Sequence, residues 1–184
     1  MKLPGCGFRQ SNLRKRQKTL EKGAMTGFHI AELNVARLKH AIFDPRISDF
    51  VNNLNRVNAV AERSPGFVWR KKDETGSSIS MSPDNDPMII PNLSVWEDVL
   101  SLENFVFKTV HKRFYERRAE WFGLLGKMHF VMWPVPVGHE PSLEEAWQKL
   151  DQLNTQGSTE QAFDWSYIQQ AQLWRTDQCG VGAV

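Results

Sequence analysis

Two polar residues, Asn34 and His111, have side chains that could carry out proton chemistry on a bound small molecule. Histidine titrates near neutral pH, so His111 could serve as a general base or as a haem ligand. The amide of Asn34 could donate a fixed hydrogen bond to an oxygen that develops negative charge. The structural alternatives are a hydrogen-bonded histidine and a strand asparagine bonded to a nearby loop. If the two side chains face one cavity, His111 could remove a proton from a substrate while Asn34 binds the substrate oxygen.

Tryptophans and charged side chains could form the rest of such a site. The chain has seven tryptophans in 184 residues, and tryptophan is seldom exposed, so an aromatic wall around a flat ligand is predicted, with plain core packing as the alternative. Arg118 would share a helix face with His111 and could bind a carboxylate, with Glu32 as a partner within the chain. Arg117 is assigned to surface salt bridges and Trp147 to the core. The predicted substrate-binding residues are Trp69, Trp96, Trp121, Trp133, Arg118 and Glu32.

Motifs that indicate other chemistries do not occur in the sequence. It has no glycine-rich phosphate loop, no Gly-x-Ser-x-Gly nucleophile elbow and no dinucleotide fingerprint. His129 and His139 have no third ligand at a useful spacing, so no metal site is predicted. Cys6 and Cys179 lie near opposite ends without a Cys-x-x-Cys partner, which argues against a disulfide framework and fits a reducing compartment.

The elements that must position these residues follow from hydrophobic periodicity and from breaker residues. Residues 28–38 alternate as a strand does, with Glu32 and Asn34 on the same face. In chain order, the prediction is a strand at 28–38, a helix from Asp44-Pro45 to Ser64, strands at 66–70 and 88–96 separated by a loop at 73–87, a helix from Glu97-Asp98 to about Phe122, a strand at 128–135 and a helix from Pro141-Ser142 through Leu153.

This order, β-α-β-β-α-β followed by an extra C-terminal helix, predicts an α+β domain with the ferredoxin-like, split β-α-β arrangement. Its sheet would have four antiparallel strands with two helices on one face. The other face must then be covered, and sheets of this size commonly hide it by pairing two subunits, so a homodimer is predicted. The domain should span residues 27–157, between a basic, flexible N-terminal arm at 1–26 and a C-terminal extension at 158–184.

Five parts of the chain carry a family resemblance. They are His29-Ile-Ala-Glu-Leu-Asn-Val-Ala-Arg-Leu38, Ser64-Pro-Gly-Phe-Val-Trp-Arg70, Asn92-Leu-Ser-Val-Trp96, His111 with Arg117-Arg-Ala-Glu-Trp-Phe122, and Trp133-Pro-Val-Pro-Val-Gly-His139. Together they resemble a bacterial-type family of domains of unknown function in the dimeric α/β-barrel superfamily, which also includes the antibiotic-biosynthesis monooxygenases. The resemblance covers about residues 27–165 and is specific for the family and the fold rather than for an activity.

The resemblance implies a pocket between the sheet and the helices of a dimeric α/β barrel. Some members of the superfamily oxygenate polycyclic aromatic molecules without metal or flavin, which implies that no cofactor is needed. Others bind and degrade haem through an asparagine on the first strand, a tryptophan on the third strand and a histidine on the second helix. By position, those residues are Asn34, Trp96 and His111. Haem is therefore the alternative cofactor.

Charge is distributed unevenly along the chain. Residues 1–24 hold seven basic residues and one acid, whereas the remainder holds 16 basic and 20 acidic residues. A solvated arm is the simplest interpretation; organelle targeting, nucleic-acid contact or a true start at Met25 are the alternatives. The acidic body makes a nucleic-acid partner unexpected. The sequence has no apolar run long enough for a membrane span and no secretory signal, so a cytoplasmic location is expected.

These observations predict a protein with a small-molecule pocket. The leading hypothesis is a monooxygenase-like enzyme that acts on an aromatic or polycyclic substrate without an obligatory metal, with His111 and Asn34 as catalytic residues. A haem-binding or haem-degrading monooxygenase is the first alternative. A non-catalytic module that binds a metabolite is the second.

Overall fold

The strand predicted at the start of the domain lies at the centre of the sheet. The computed structural model describes residues 27–72 and 86–168, and these form an α+β domain with an antiparallel sheet of five strands and four helices. The strands are β1 (Phe28–Leu38), β2 (Phe67–Arg70), β3 (Ile89–Trp96), β4 (Phe122–Gly123) and β5 (Phe130–Pro136). The helices are α1 (Ser48–Glu62), α2 (Val99–Lys108), α3 (His111–Trp121) and α4 (Leu143–Gln156), with 3-10 turns at Pro45–Ile47 and Trp165–Tyr167. The predicted α+β class is confirmed.

Strand β1 pairs with three other strands. The sheet runs in the order β2-β3-β1-β5, and the two-residue strand β4 pairs with the end of β1 at Arg37 and Leu38. Successive side chains of a strand point to opposite faces, so the register decides which residues stand side by side on each face. On one face Glu32 lies opposite Ser94 of β3 and Met132 of β5.

The face of the sheet that packs against α1, α2 and α3 carries two separate apolar clusters. The first, the Trp96 cluster, has as its buried members Ile30, Ala61, Trp96, Leu102, Phe105, Val106, Phe107, Met132 and Phe163. The second, the Trp121 cluster, has as its buried members Leu38, Ile47, Ile90 and Trp121. Along the paired strands β1 and β3, the Trp96 cluster includes the pair Ile30–Trp96. The Trp121 cluster begins further along the strands, at Ile90 opposite Ala36. The two pairs between them on this face are polar.

The opposite face of the sheet is covered by α4. A third cluster, the Trp133 cluster, joins Ala31, Leu33 and Val35 of β1 to Ala146, Leu150 and Leu153 of α4, and all of these are buried. The homodimer prediction assumed that this face has no cover within the chain. That premise is wrong, because the C-terminal helix supplies the cover; the homodimer itself stays a prediction.

Local signals place both ends of α4. The Ser142 hydroxyl caps the helix by accepting a hydrogen bond from the Glu145 backbone N–H at 3.1 Å. Gly157 ends it with φ of 74°, a conformation that residues with a Cβ rarely adopt. Near that end, the Asn154 side chain accepts from the backbone N–H of Met128 at 2.9 Å, which ties the helix to the segment before β5. The predicted helix is thus confirmed, with its end three residues later than expected.

The long helix predicted from Glu97-Asp98 to Phe122 is wrong, because it divides into α2 and α3. Thr109 has extended backbone angles, φ of −111° and ψ of −172°. Its hydroxyl donates to the Phe105 carbonyl at 2.6 Å and accepts from the His111 N–H at 3.2 Å, which replaces helical backbone bonds at the break. His111 therefore starts a new helix instead of lying inside one long helix.

The first helix also begins later than predicted. Asp44 caps the 3-10 turn at Pro45–Ile47 by accepting a hydrogen bond from the Arg46 N–H at 2.9 Å. The α-helix then starts at Ser48. The capping residue and the proline were correctly placed at the start of the helical segment, but the pattern did not distinguish a 3-10 turn from an α-helical one.

Some predictions concern residues outside the described ranges: the arm at 1–26 with Cys6 and Met25, Cys179, and most of the loop at 73–87. Residues 158–168 of the predicted C-terminal extension are described. Within them, the backbone of Phe163 exchanges hydrogen bonds of 2.7 and 2.9 Å with Met132 of β5, and its side chain is fully buried. This part of the extension packs as part of the domain.

Candidate functional site

A polar gap separates the Trp96 cluster from the Trp121 cluster on the helix-facing side of the sheet. It is formed by Glu32 and Asn34 of β1 and by Ser94 and Asn92 of β3, which face each other in pairs. On α1, Leu54 is half-buried and belongs to neither cluster. The polar gap therefore interrupts the apolar packing on this face of the sheet.

Glu32 is the buried titratable group of the polar gap. Its side chain is only 5% exposed, and its Oε1 accepts a hydrogen bond of 2.7 Å from the Ser94 hydroxyl. The Ser94 oxygen in turn accepts one of 2.8 Å from the Trp96 indole N–H. Burial raises the pKa of Glu32 from 4.5 to about 8, and the Ser94 hydrogen bond offsets this only in part. The carboxyl group is mostly protonated at neutral pH.

The two asparagines lie next to Glu32 and Ser94 on the same face. Asn34 and Asn92 are half-buried, and neither amide makes a side-chain hydrogen bond within the described ranges. Each offers two N–H donors and one carbonyl acceptor. A few convergent polar groups between aromatic clusters are typical of small-molecule sites. The polar gap can therefore hydrogen-bond a ligand without first breaking a bond within the protein.

Arg70 lies beside the polar gap on the β2 side, where it pairs with Ser94 in the register. Its side chain is 8% exposed, and its Nε donates to Glu62 of α1 at 2.8 Å. Lys72 also reaches Glu62 at 2.8 Å. The hydrogen bonds from Lys72 and Arg70 lower the pKa of Glu62. The positive charge beside the polar gap is thus balanced by Glu62 rather than by Glu32.

His111 lies against the Trp96 cluster rather than in the polar gap. Its Nδ1 is 3.3 Å from the Val106 carbonyl, and its ring centroid is 4.9 Å from that of Phe105. Phe105 stacks on Trp96 at 5.1 Å. Burial lowers the pKa of His111 from 6.5 to about 4, so the imidazole is neutral at pH 7. No hydrogen bond or ring contact within the described ranges joins it to Asn34.

The four tryptophans predicted to bind substrate lie in three different clusters. Trp96 and Trp121 belong to the two helix-facing clusters that bear their names. Trp133 and the half-buried Trp69 belong to the Trp133 cluster on the opposite face, where Trp147 also packs. They do not form one aromatic wall, and their arrangement agrees with the core-packing alternative. Of the four, Trp96 contacts the polar gap, through its hydrogen bond to Ser94.

Arg118 is not paired with Glu32. It is exposed, its Nη1 donates to the Tyr115 carbonyl at 2.7 Å, and its guanidinium lies 4.3 Å from the centroid of the Tyr115 ring. His111 and Arg118 still share α3, but the exposed Arg118 does not contact the buried Glu32 within the described ranges. Arg117 forms the expected surface ion pairs, with Asp49 at 2.7 Å and with Glu120 at 2.8 Å.

Sequence reasoning missed Ser94 and Asn92, which complete the polar gap. Both lie on β3 at the same alternation as Trp96, so a signal was present: polar residues at every second position before a tryptophan. Their importance could not be recognised without the register, because that register sets Ser94 beside Glu32 and Asn92 beside Asn34.

Two further observations concern metal ligands and helix length. Within residues 27–72 and 86–168, no group of three or more His, Cys, Asp or Glu side chains is placed to hold a metal ion. In the same ranges, none of the helices combines the length and the apolar character that crossing a membrane requires.

The fold and the polar gap define an α+β domain with a candidate small-molecule site. Residues 29–179 match the family described as "Domain of unknown function (DUF3291)", and the chain belongs to that family. The predicted membership in a family of unknown function is confirmed, at the level of the family. Neither the comparison with curated proteins nor that with solved structures found a match.

Proposed function

We propose that the protein is a monooxygenase-like enzyme that acts on an aromatic or polycyclic ketone in the polar gap. The observation that carries this proposal is the buried carboxyl group of Glu32, which accepts from Ser94 and lies beside two asparagine amides without side-chain hydrogen bonds within the described ranges. Such donors can stabilise the oxygen of an enolate that forms when a substrate loses a proton. The aromatic side chains on either side would contact the flat body of the substrate.

The reaction would need no reductant other than the substrate. Loss of a proton from an activated CH2 group gives a carbanion, which transfers electrons to dioxygen. Overall, CH2 and O2 become C=O and water: two C–H bonds and the O–O bond break, and the carbon supplies the four electrons. Asn34 and Glu32 would bind the substrate oxygen. His111 remains the predicted base, although its contacts place it at the Trp96 cluster.

Anthrone, a tricyclic ketone with an activated CH2 group, tests this proposal. The protein should accelerate oxygen uptake and the appearance of anthraquinone above the rate in buffer. Asn34→Leu should lower the rate roughly tenfold or more, as loss of an oxyanion donor does. Asn52→Leu, at an exposed position of α1, is the matched control and should leave the rate unchanged. No acceleration by the wild-type protein would refute the proposed reaction for this substrate, and full activity of His111→Ala would refute the base role.

The haem alternative is less well supported by the contacts of His111. Because Nδ1 lies against the Val106 carbonyl, Nε2 is the nitrogen left for a metal. The rings of Phe105 and Trp96 fill the space between the imidazole and the sheet, so these residues do not fit a haem on that side. Haemin added to the protein should therefore give no Soret band that depends on His111, which His111→Ala tests. Such a band would restore the haem hypothesis.

The ferredoxin-like arrangement and the relation to the dimeric α/β-barrel superfamily are part of the same proposal. The order β2-β3-β1-β5 with antiparallel neighbours supports them, because a split β-α-β fold places its first strand between the third and the last. A homodimer and a cytoplasmic location stay predictions. A non-catalytic binding module is the second candidate; it predicts ligand binding in the polar gap without oxygen uptake.

A further inference from the structure

The hydrogen bonds around Glu32 have a direction that follows from their donors. The Trp96 indole N–H can only donate, so Ser94 Oγ must be the acceptor of that 2.8 Å bond. Ser94 is 6% exposed, and its single O–H needs a hydrogen-bond acceptor within the protein. Glu32 Oε1, 2.7 Å away, is the acceptor that the structure provides for it. If Glu32 donated to Ser94 instead, the Ser94 proton would lie buried without an acceptor in the described ranges, which is costly.

The direction of this chain determines which oxygen of Glu32 carries the proton. Because Oε1 accepts from Ser94, the proton of the neutral carboxyl group resides on Oε2. Within the described ranges Oε2 has no hydrogen-bond partner, and it is not completely shielded from solvent. The small exposed part of this residue therefore includes Oε2. An O–H donor on Oε2 is left available to a ligand next to Asn34.

We propose that Trp96 and Ser94 are positioning residues that hold Glu32 as a fixed O–H donor, and that the ligand of the polar gap presents an acceptor oxygen to it, such as an aromatic ketone. This inference rests on the proposed function for the location of the site and extends it to the group that the site recognises. The amides of Asn34 and Asn92 can supply further N–H donors to the same oxygen.

Within the described ranges, the side-chain hydrogen bond that the structure gives Glu32 is the one from Ser94. On β2, Arg70 is paired with Glu62 of α1. Glu103 of α2 is buried, and His111 of α3 is neutral at pH 7 and lies against Phe105. The raised pKa of Glu32 has burial as its first cause and the Ser94 hydrogen bond as the one opposing influence. The donor form of Glu32 thus depends on its own burial and on Ser94.

A matched pair of inert ligands tests the acceptor-oxygen requirement. Fluorenone and fluorene share a flat tricyclic skeleton, and only fluorenone has a carbonyl oxygen. Equilibrium dialysis should show that the full-length protein binds fluorenone roughly five- to tenfold more tightly than fluorene at about pH 6.5, which corresponds to one net hydrogen bond. The preference should be clearly smaller at about pH 9, because an ionised Glu32 no longer donates. Equal binding of the two ligands, or binding of neither, would overturn the proposal.

Two substitutions at Glu32 separate its donor role from its charge. Glu32→Gln keeps an acceptor for Ser94 and an N–H donor toward the polar gap, so the preference for fluorenone should persist and become independent of pH. Glu32→Met keeps the approximate size and removes the Glu32 donor, so the preference should be small at every pH, as in the wild type at about pH 9. If the methionine variant is misfolded, the glutamine variant still tests the donor role. A fall in its preference for fluorenone at about pH 9, as large as in the wild type, would contradict the assignment.

Substitutions at Ser94 test the positioning role with a readout that a merely structural role would not change. Ser94→Ala removes the hydrogen bond that lowers the pKa of Glu32, so the midpoint of the fall in fluorenone preference should move to higher pH. Ser94→Thr keeps the hydroxyl and should restore the wild-type midpoint. Infrared difference spectra, which detect the carbonyl stretch of a protonated carboxyl group, should show the same shift without any ligand. An unchanged midpoint in Ser94→Ala would refute the positioning role.

These outcomes are distinct from failure of the proposed function. If anthrone is not oxidised but the fluorenone preference follows Glu32, the donor assignment stands and the protein is a binding module. If anthrone is oxidised but the preference for fluorenone is unchanged by the Glu32 substitutions, the donor assignment fails and the enzyme proposal stands.

Discussion

Glu32→Gln should change how the stability of the protein depends on pH. In the unfolded chain Glu32 ionises near pH 4.5, whereas in the folded protein its pKa is raised by burial to about 8. Between these values the folded state holds more protons than the unfolded state. The stability that the protonated Glu32 contributes is therefore complete below pH 4.5 and is lost as the pH rises toward 8. The free energy of unfolding falls by up to about 1.4 kcal/mol per pH unit in this interval. Over the whole interval the loss is about 5 kcal/mol.

His111 acts in the opposite sense over a lower range. Its pKa is lowered by burial from 6.5 to about 4, so between those values the unfolded chain holds more protons and stability increases with pH. The two effects offset each other between about pH 4.5 and 6.5. Above pH 6.5 only the Glu32 effect remains, and it should lower the free energy of unfolding by about 2 kcal/mol by pH 8.

Urea unfolding, followed by tryptophan fluorescence at several pH values from about 6.5 to 8, measures this difference. The free energy of unfolding of Glu32→Gln minus that of the wild type should increase by about 2 kcal/mol across the range, because glutamine does not ionise. Glu120→Gln is the matched control. Glu120 is exposed and paired with Arg117, which lowers its pKa, so the substitution should add no slope there.

A constant difference between Glu32→Gln and the wild type would refute the reasoning. It would mean that Glu32 is ionised in the folded protein at pH 6.5, and hence that it does not act as an O–H donor. The same slope in Glu120→Gln would show instead that the effect is a general consequence of removing one negative charge.

Three further substitutions test the packing around the site by urea unfolding. Ser142→Ala should cost about 1 kcal/mol because α4 loses its capping hydroxyl; an unchanged midpoint would contradict that role. Gly157→Ala should cost roughly 1–3 kcal/mol from backbone strain at φ of 74°, since no atom would contact the added Cβ; neutrality would mean that this end of α4 adjusts freely. Phe163→Ala should cost roughly 3–5 kcal/mol, as for a core aromatic, whereas a surface extension would lose almost nothing.

The sheet could be predicted from the sequence because alternation and breaker residues are local signals. The strand at Phe28–Leu38 was predicted with its observed bounds, and the strand ending at Trp96 within one residue of its start. Ser142 was recognised as the start of the last helix for an equally local reason. Each of these features depends on neighbours in the chain rather than on distant contacts.

The distribution of side chains between clusters was not predictable in the same way. The break at Thr109 depends on one hydroxyl that bonds to the backbone on both sides, while apolar periodicity continues across it. That break makes His111 the first residue of α3 rather than a residue inside one long helix. The assignment of Trp69 and Trp133 to the α4 side follows from strand register and from where α4 docks, neither of which composition reveals.

The candidate site was predicted only in part. Glu32 and Asn34 were placed on one face of the first strand, and this follows directly from alternation. Glu32 was expected to bind Arg118, but its environment is instead a buried hydrogen-bond chain through Ser94 and Trp96. The sequence spacing of Glu32 and Ser94 carries no sign of their contact, because it is made across strands that are distant in the chain.

The central place of β1 also has a consequence for how the chain acquires its fold during synthesis. This strand is made before both of its long partners, since Asn34 pairs with Asn92 on one side and with Phe130 on the other. A nascent chain would therefore carry an apolar strand with two unpaired edges until β3 and then β5 leave the ribosome. Pairing over such long separations is slow and exposes surfaces that aggregate. Production of the protein should accordingly depend on chaperones that hold the early chain.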